Sequence, residues 1–308
     1  MTSANPTPFN FQPVIIIGAA RSGTNMLRDA LTQLPGITTW PCDEINYVWR
    51  HHHATFPTDE LRSGHATVRV RRYIRAAFTK LAHKTRAQFV VEKTCANSLR
   101  VDYVRAVLPE AKIIFLVRDG RDVVASALKR WHAKLELGYT LKKARFVPPG
   151  DVPYYAWRYL RHRAHRLVSS EGRVASWGPR FAGIERMLQN CSLAEVCAEQ
   201  WRVSVELAAK ALEKLPADRC HTIRYEDFVR RPISEFARIA DFVKAPRGST
   251  QFSAIVKGIS TNSVGNWRSQ LDAASADLIA PRLRTTLDKW GYLVHESQSI
   301  SDPMHRAA

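Results

Sequence analysis

Short continuous apolar runs alternate along this chain with stretches in which apolar residues recur every three or four positions. The runs are VIII at 14–17, QFVVE at 88–92, KIIFLV at 112–117 and CHTIRY at 220–225. Runs of this length, rich in β-branched residues, predict strands of a parallel sheet covered on both faces. Between them, Met26, Leu27, Ala30, Leu31 and Leu34 keep helical spacing from Ser22 until Pro35-Gly36 stops it. A helix is expected over roughly 98–108, ended by Pro109. Asp119 is a natural cap for another, with Val123, Val124, Ala127, Leu128 and Trp131 on its inner face. Leu193, Val196, Cys197, Trp201, Val205, Ala208 and Leu212 mark a long amphipathic helix, and Leu278 to Trp290 a last one. Strand alternating with helix predicts an α/β domain around a parallel sheet.

One stretch breaks that alternation. Residues 129–190 read as a helical insertion into a single domain of residues 1–296, with a polar arm before residue 13 and a flexible tail at 297–308. Residues 129–166 hold ten Lys/Arg against two acids, Glu136 and Asp151. Aromatic residues are interleaved: Trp131, Tyr139, Phe146, Tyr154, Tyr155, Trp157 and Tyr159. This mixture suits a phosphate backbone with stacked bases, an acidic sugar chain, or an anionic lipid surface. An ordinary helical insertion covered by long arginine side chains would read the same way.

Composition narrows the setting. The 308 residues are 45% hydrophobic and 24% charged, which supports a packed core. With 46 Lys+Arg against 28 Asp+Glu, the formal charge is +18, and such an excess points to an anionic partner. Five scattered cysteines with no C-x-x-C argue for reduced thiols and against a zinc site. The adjacent His51, His52 and His53 lack ligand spacing, so no metal is expected. The first residues show no secretory pattern, and no apolar run approaches the ~18 residues of a membrane span. The expected setting is therefore cytoplasmic, including contact with the inner face of a membrane.

The chemistry begins where the first strand ends. In PVIIIGAARSGTNMLRDAL, Gly18 and Gly23 bracket four residues between a strand and a helix, in the manner of a nucleotide phosphate loop. Backbone N–H groups and a helix N-terminus converge there on an anion. The lysine that grips the β- and γ-phosphates is absent, and Thr24 stands in its place. The loop's own cation is Arg21, ahead of the glycine. IIFLVRDGRDVVASAL places Arg118 at a strand's C-terminal end, where ligands of open α/β sheets bind, with Ser126 two turns beyond. Arg118 could instead pair with Asp119 or Asp122. VVEKTCANS sets Lys93 at another strand end, placed to stabilise charge on a transferred group.

Together these segments, with IRYEDFVRRP further on, resemble the sulfotransferase superfamily, and most of all the tyrosylprotein sulfotransferases and their bacterial relatives. The likeness covers most of 13–130 and 219–290. It implies a P-loop-like, three-layer fold and 3′-phosphoadenosine 5′-phosphosulfate as donor, with 3′-phosphoadenosine 5′-phosphate as product and no metal. Such a donor has no γ-phosphate, which accounts for the missing lysine. By the resemblance, Arg21, Ser22, Gly23, Thr24 and Asn25 hold the 5′-phosphosulfate, while Arg118 and Ser126 hold the 3′-phosphate. Tyr225 lies near the nucleotide, and Ser263, Gly265 and Arg268 belong to a late loop closing over the 3′ side. The sequence departs from the pattern at Asn25, often a second threonine, and at Cys95, usually a proline.

Sulfuryl transfer needs a base for the acceptor hydroxyl and cations for the sulfuryl oxygens and leaving phosphate. Arg21 and Lys93 supply the cations. In TTWPCDEINYVWR, Glu44 resembles the family's catalytic glutamate, with Asp43 as second candidate and pairing with Arg50 or His51 as the structural alternative. The acceptor expected from the basic, aromatic insertion is a glycan or lipid-linked glycan. Alternative readings are a protein-tyrosine sulfotransferase, a P-loop kinase and, in another class, a nucleic-acid-binding protein. A homodimer is compatible with all of them.

Overall fold

The computed structural model describes residues 9–132, 145–168, 177–246 and 252–293. Five parallel strands form one sheet in the order β2-β3-β1-β4-β5. They are β1 (Gln12–Ile17), β2 (Ile37–Thr38), β3 (Phe89–Lys93), β4 (Lys112–Val117) and β5 (Cys220–Arg224). β1 lies at the centre, with Ile15 level with Glu92 of β3 and Ile113 of β4. Consecutive residues of β1 and β4 face opposite sides of the sheet. Ile15, Ile17, Ile113, Phe115 and Val117 enter one core, and Val14, Ile16, Ile114 and Leu116 the other. Both faces are covered, and three layers result. That is why these strands read as unbroken apolar runs.

On the first face lie helices Val68–Thr85, Val101–Val107, Gly120–Trp131, Leu193–Leu212 and Ala273–Lys289. On the second lie Thr24–Leu31, Tyr225–Arg230 and Pro232–Val243. The insertion shows helices at Val152–Val168 and Ile184–Asn190. Its ends belong to the domain's packing, because Trp131, Phe181 and Ile184 are all buried in the first core.

Several local expectations need correction, and the short strand β2 was not expected. The helix expected over 98–108 is a 3-10 turn, Cys95–Leu99, followed by Val101–Val107. The Ser98 hydroxyl donates to Cys95 O at 2.7 Å, and Arg100 leaves helical geometry at φ −144°. Tyr225 starts a helix instead of ending β5. The patterning also missed two long helices, besides shorter ones. Val68–Thr85 buries Val70, Ile74, Phe78 and Ala82, one apolar residue every fourth position in a basic sequence. Pro232–Val243 has proline at its first position, where no N–H is needed, and buries Phe236, Ile239, Ala240 and Val243.

Candidate active site

Four of the five strands deliver site residues at their C-terminal ends, on either side of the point where strand order reverses. β1 runs into Gly18, β3 ends at Lys93, β4 leads to Arg118 and β5 to Tyr225.

The loop after β1 is held in an uncommon shape. Arg21 has φ +71° and Gly23 φ +88°, both in the left-handed region. A non-glycine residue held there marks stored strain, which the surrounding structure must over-determine. At Gly23 a Cβ would sit 2.5 Å from the Tyr225 ring, so close approach and conformation both require glycine. Ser22 is fully buried, and its Oγ has no hydrogen-bond partner among the described residues. Asn25 Oδ1 is in the same condition. Thr24 starts the helix, with its Oγ1 3.9 Å from Cys95 Sγ.

Arg118 ties this loop to the late one. Its Nη1 donates to Arg21 O at 3.0 Å and its Nη2 to Ser263 O at 2.5 Å, while Nε is buried without a partner among the described residues. The guanidinium lies 4.4 Å over the Tyr225 ring, and the Tyr225 hydroxyl meets Ser263 Oγ at 2.6 Å. The alternative pairing of Arg118 is weak: Asp122 Oδ2 is 3.9 Å away, and Asp119 pairs with Arg121 at 2.8 Å. Asp122 accepts instead from Gly265 N at 2.8 Å and Trp267 N at 2.9 Å. Burial pushes its carboxyl above the usual range, and those two amides pull it back. Arg268 stacks over the Trp267 ring at 4.7 Å.

Arg21 turns its side chain toward Ser126, donating from Nε to Ser126 Oγ at 2.9 Å. The residues expected to hold the two ends of a nucleotide are thus in direct contact. Burial, then the nearby Arg130, and also Arg118 lower the Arg21 pKa. Crowded, half-desolvated cations of this kind favour an anion among them.

The carboxylate candidates separate clearly. Glu44 Oε1 accepts from Lys93 Nζ at 2.9 Å and from Cys95 N at 3.3 Å. Asp43 lies beside Arg28, 3.7 Å from it. The expected alternative partners of Glu44 are engaged elsewhere: Arg50 bonds Asp59 at 2.8 Å, and His51 Nδ1 meets Asp151 Oδ2 at 2.8 Å. Burial pulls the Lys93 pKa down, but Cys95 and Glu44 outweigh it and hold the ammonium above its ordinary value. Burial, then Glu44, pushes the Cys95 thiol up to about 12, so it is a neutral wall and no nucleophile.

Behind Glu44 sits a buried polar ring that the sequence reading missed. Glu92 Oε1 accepts from Thr94 Oγ1 at 2.5 Å, and Thr94 Oγ1 accepts from Ile45 N at 3.2 Å. Glu92 Oε2 accepts from Asn97 Nδ2 at 3.0 Å, and Asn97 Oδ1 from Arg100 Nε at 2.9 Å. Arg100 Nη2 then reaches Asn46 Oδ1 at 2.5 Å. Both arms end on Ile45 and Asn46, the two residues after Glu44. Also missed were Asp122, Trp201, whose Nε1 donates to Arg118 O at 3.0 Å, and Glu226, which accepts from Asp119 N at 3.0 Å. Asp122 had a usable signal: it stands one helical turn after Arg118.

Histidines 51–53 serve packing. His51 stacks near His52 and Tyr73, and His53 Nε2 contacts His65 O at 2.9 Å.

Comparison with known proteins agrees with this architecture. The family model described as the sulfotransferase family matches residues 13–175 and 158–248. The sulfotransferase domain from the curacin biosynthetic pathway aligns with 14% identity and a TM-score of 0.50, covering 90% of this chain and 99% of that one. The sulfotransferase domain from the Synechococcus PCC 7002 olefin synthase aligns with 16% identity and a TM-score of 0.50, covering 94% and 98%. At these identities the two structures speak for the fold alone. No curated protein sequence matches the chain.

Proposed function

This chain belongs to the sulfotransferase family, and from that premise we propose that it moves a sulfuryl group from 3′-phosphoadenosine 5′-phosphosulfate to a carbohydrate hydroxyl. The observation that carries the reading is the 2.9 Å contact between Glu44 and Lys93, reached across Cys95 and Thr24 from the glycine loop. It sets a carboxylate and a cation side by side at the end of β3.

The donor fits the residues present. The strained loop with its orphaned Ser22 hydroxyl and the buried Arg118 with its orphaned Nε suit two separate phosphate groups. Arg21 and Ser126, already in contact, stand between them. In the reaction the acceptor oxygen attacks sulfur in line and forms the new S–O bond. The bond from sulfur to the 5′-phosphate oxygen breaks, and its electron pair leaves with 3′-phosphoadenosine 5′-phosphate. Glu44 takes the acceptor proton. Lys93 has three N–H donors and uses one on Glu44, which leaves others for the sulfuryl oxygens. No step requires a metal.

The glycan acceptor rests on the insertion. Its Tyr155 ring meets Tyr47 edge-on at 4.5 Å, and Asp151 holds His51, so the basic, aromatic segment borders the Glu44 strip. Aromatic faces suit sugar rings, and arginines suit their acidic substituents. The phenols of Tyr47 and Tyr155 are kept protonated, since burial pushes Tyr155 up to about 12 and raises Tyr47.

Two measurements test this. Saturating 3′-phosphoadenosine 5′-phosphate should raise the melting temperature, by the equivalent of about 2.7 kcal/mol at 100 times Kd, and ATP should not. The Glu44→Gln variant should keep that shift and lose about 100-fold or more in turnover. A missing shift removes the donor assignment, and unchanged turnover removes Glu44 from the chemistry.

A further inference from the structure

Helix Val152–Val168 has two very different sides. One side anchors it to the active-site strip through Tyr155, with Asp151 just ahead of its first turn. The other is apolar and in solvent: Val152 is 47% exposed, Trp157 57% and Leu160 63%. Pro153 and Ala156 are exposed with them. At about 100° per residue these five positions fall within one sector of roughly 140°. The whole helix carries four arginines and two histidines, and no carboxylate.

We propose that this helix lies on an anionic lipid surface and that the acceptor is a lipid-linked glycan presented there. The inference rests on the sulfotransferase reading for its acceptor half alone. A basic helix with an apolar, tryptophan-bearing sector is the arrangement that lies in the headgroup boundary of a bilayer. Charge selects the occupant. A second copy would set two carboxylate-free, arginine-bearing helices against each other, an electrostatic cost with no compensating partner. A free polyanion would meet the arginines but leave the Trp157–Leu160 sector in water. An anionic bilayer satisfies both, meeting the helix's arginines with headgroup charge and its apolar sector with hydrocarbon. The geometry also serves the reaction. Tyr47, which the helix touches through Tyr155, and His51, held by Asp151 just before the helix, lie three and seven residues after Glu44. Docking therefore brings the catalytic carboxylate close to the lipid surface and to a hydroxyl tethered there. None of the described helices is long and apolar enough to cross a membrane, so the contact is peripheral.

The test is flotation of the full chain with vesicles of phosphatidylcholine alone or with 30% phosphatidylglycerol. The expected result is binding only to the anionic vesicles, reduced at least tenfold in a Trp157→Glu/Leu160→Glu double variant. That variant should keep the melting shift with 3′-phosphoadenosine 5′-phosphate, which shows that it is folded. Equal binding by wild type and double variant, or no binding by either, overturns the docking face. So does a concentration-dependent dimer that the double variant dissolves. Dextran sulfate that binds wild type and double variant equally well, and strips both from the vesicles, would reassign the helix to a soluble polyanion. For the acceptor half, labelled donor is incubated with fractionated extract of the source organism. Label in the organic-solvent-extractable fraction supports a lipid-linked glycan, and label only in protein or free polysaccharide overturns it. Flotation without any nucleotide shift would instead sink the sulfotransferase reading and leave the lipid contact standing.

Discussion

Glu92→Gln is the substitution with the most specific consequence. The Glu92 side chain is completely enclosed at the end of β3, and burial, opposed by its bonds from Thr94 and by Lys93, raises its pKa from 4.5 to about 7. A carboxyl whose folded pKa is raised binds its proton more tightly in the folded state. Its contribution to stability is fully present below the unfolded value near 4.5. It is lost as pH rises through about 7. At about 1.4 kcal/mol per pH unit, the displacement from 4.5 to about 7 amounts to about 3 kcal/mol. Glutamine reproduces the protonated acid: its oxygen can accept from Asn97, and its amide can donate to Thr94 as the acid proton would. At pH 5 the two proteins should therefore match within about 1 kcal/mol. At pH 9 the variant should be the more stable by about 3 kcal/mol, or about 5 °C in melting temperature for a chain of this size. The assay is paired thermal melting between pH 5 and pH 9, because the difference cancels the histidines and other groups common to both. A gap that stays constant over this range would refute the reasoning, since it would mean that Glu92 ionises alike in both states.

Two further outcomes follow from the loops around the glycine turn. Arg118→Ala should weaken binding of 3′-phosphoadenosine 5′-phosphate by about 10- to 100-fold, the worth of one or two hydrogen bonds to a charged group, and a melting shift equal to wild type would contradict the assignment. Asp122→Ala frees Gly265 N and Trp267 N together. It should cost about tenfold in nucleotide affinity and speed proteolysis near 259–267; calorimetry and timed digestion check the pair, and an unchanged affinity would separate this loop from the nucleotide.

The site residues that were easiest to read in the sequence lie within a few residues of a strand end. Gly18 to Thr24, Lys93 and Arg118 are fixed by the strands that precede them, and parallel strands bring such ends together whatever their distance in sequence. Asp122 reaches Gly265 across 143 residues, and Glu226 takes the Asp119 amide across 107. No periodicity marks such pairs, because their partners are backbone N–H groups that every residue type carries. The polar ring around Glu92 was hidden for a related reason. EKTCANS reads only as a strand end with a lysine, and every residue of it is buried. Only the tertiary structure reveals that the segment faces Ile45 and Asn46.

What the long-range contacts add is an account of why the cations are kept ready for an anion. The hydrogen bonds of Arg21 and Arg118 among the described residues run to neutral oxygens: Ser126 Oγ, Arg21 O and Ser263 O. A bond from guanidinium to a neutral oxygen is roughly half as strong as one to a phosphate oxygen. Exchange for phosphate is then favourable at each cation, and it also relieves the repulsion between Arg21, Arg118 and Arg130. Glu44 and Lys93 follow the opposite logic, since their ion pair is complete as it stands. On the proposed function, the cation cluster assigned to the nucleotide is therefore left electrostatically unsatisfied, while the pair assigned to proton transfer is balanced. Tight donor binding and a restrained base are the expected result of that division.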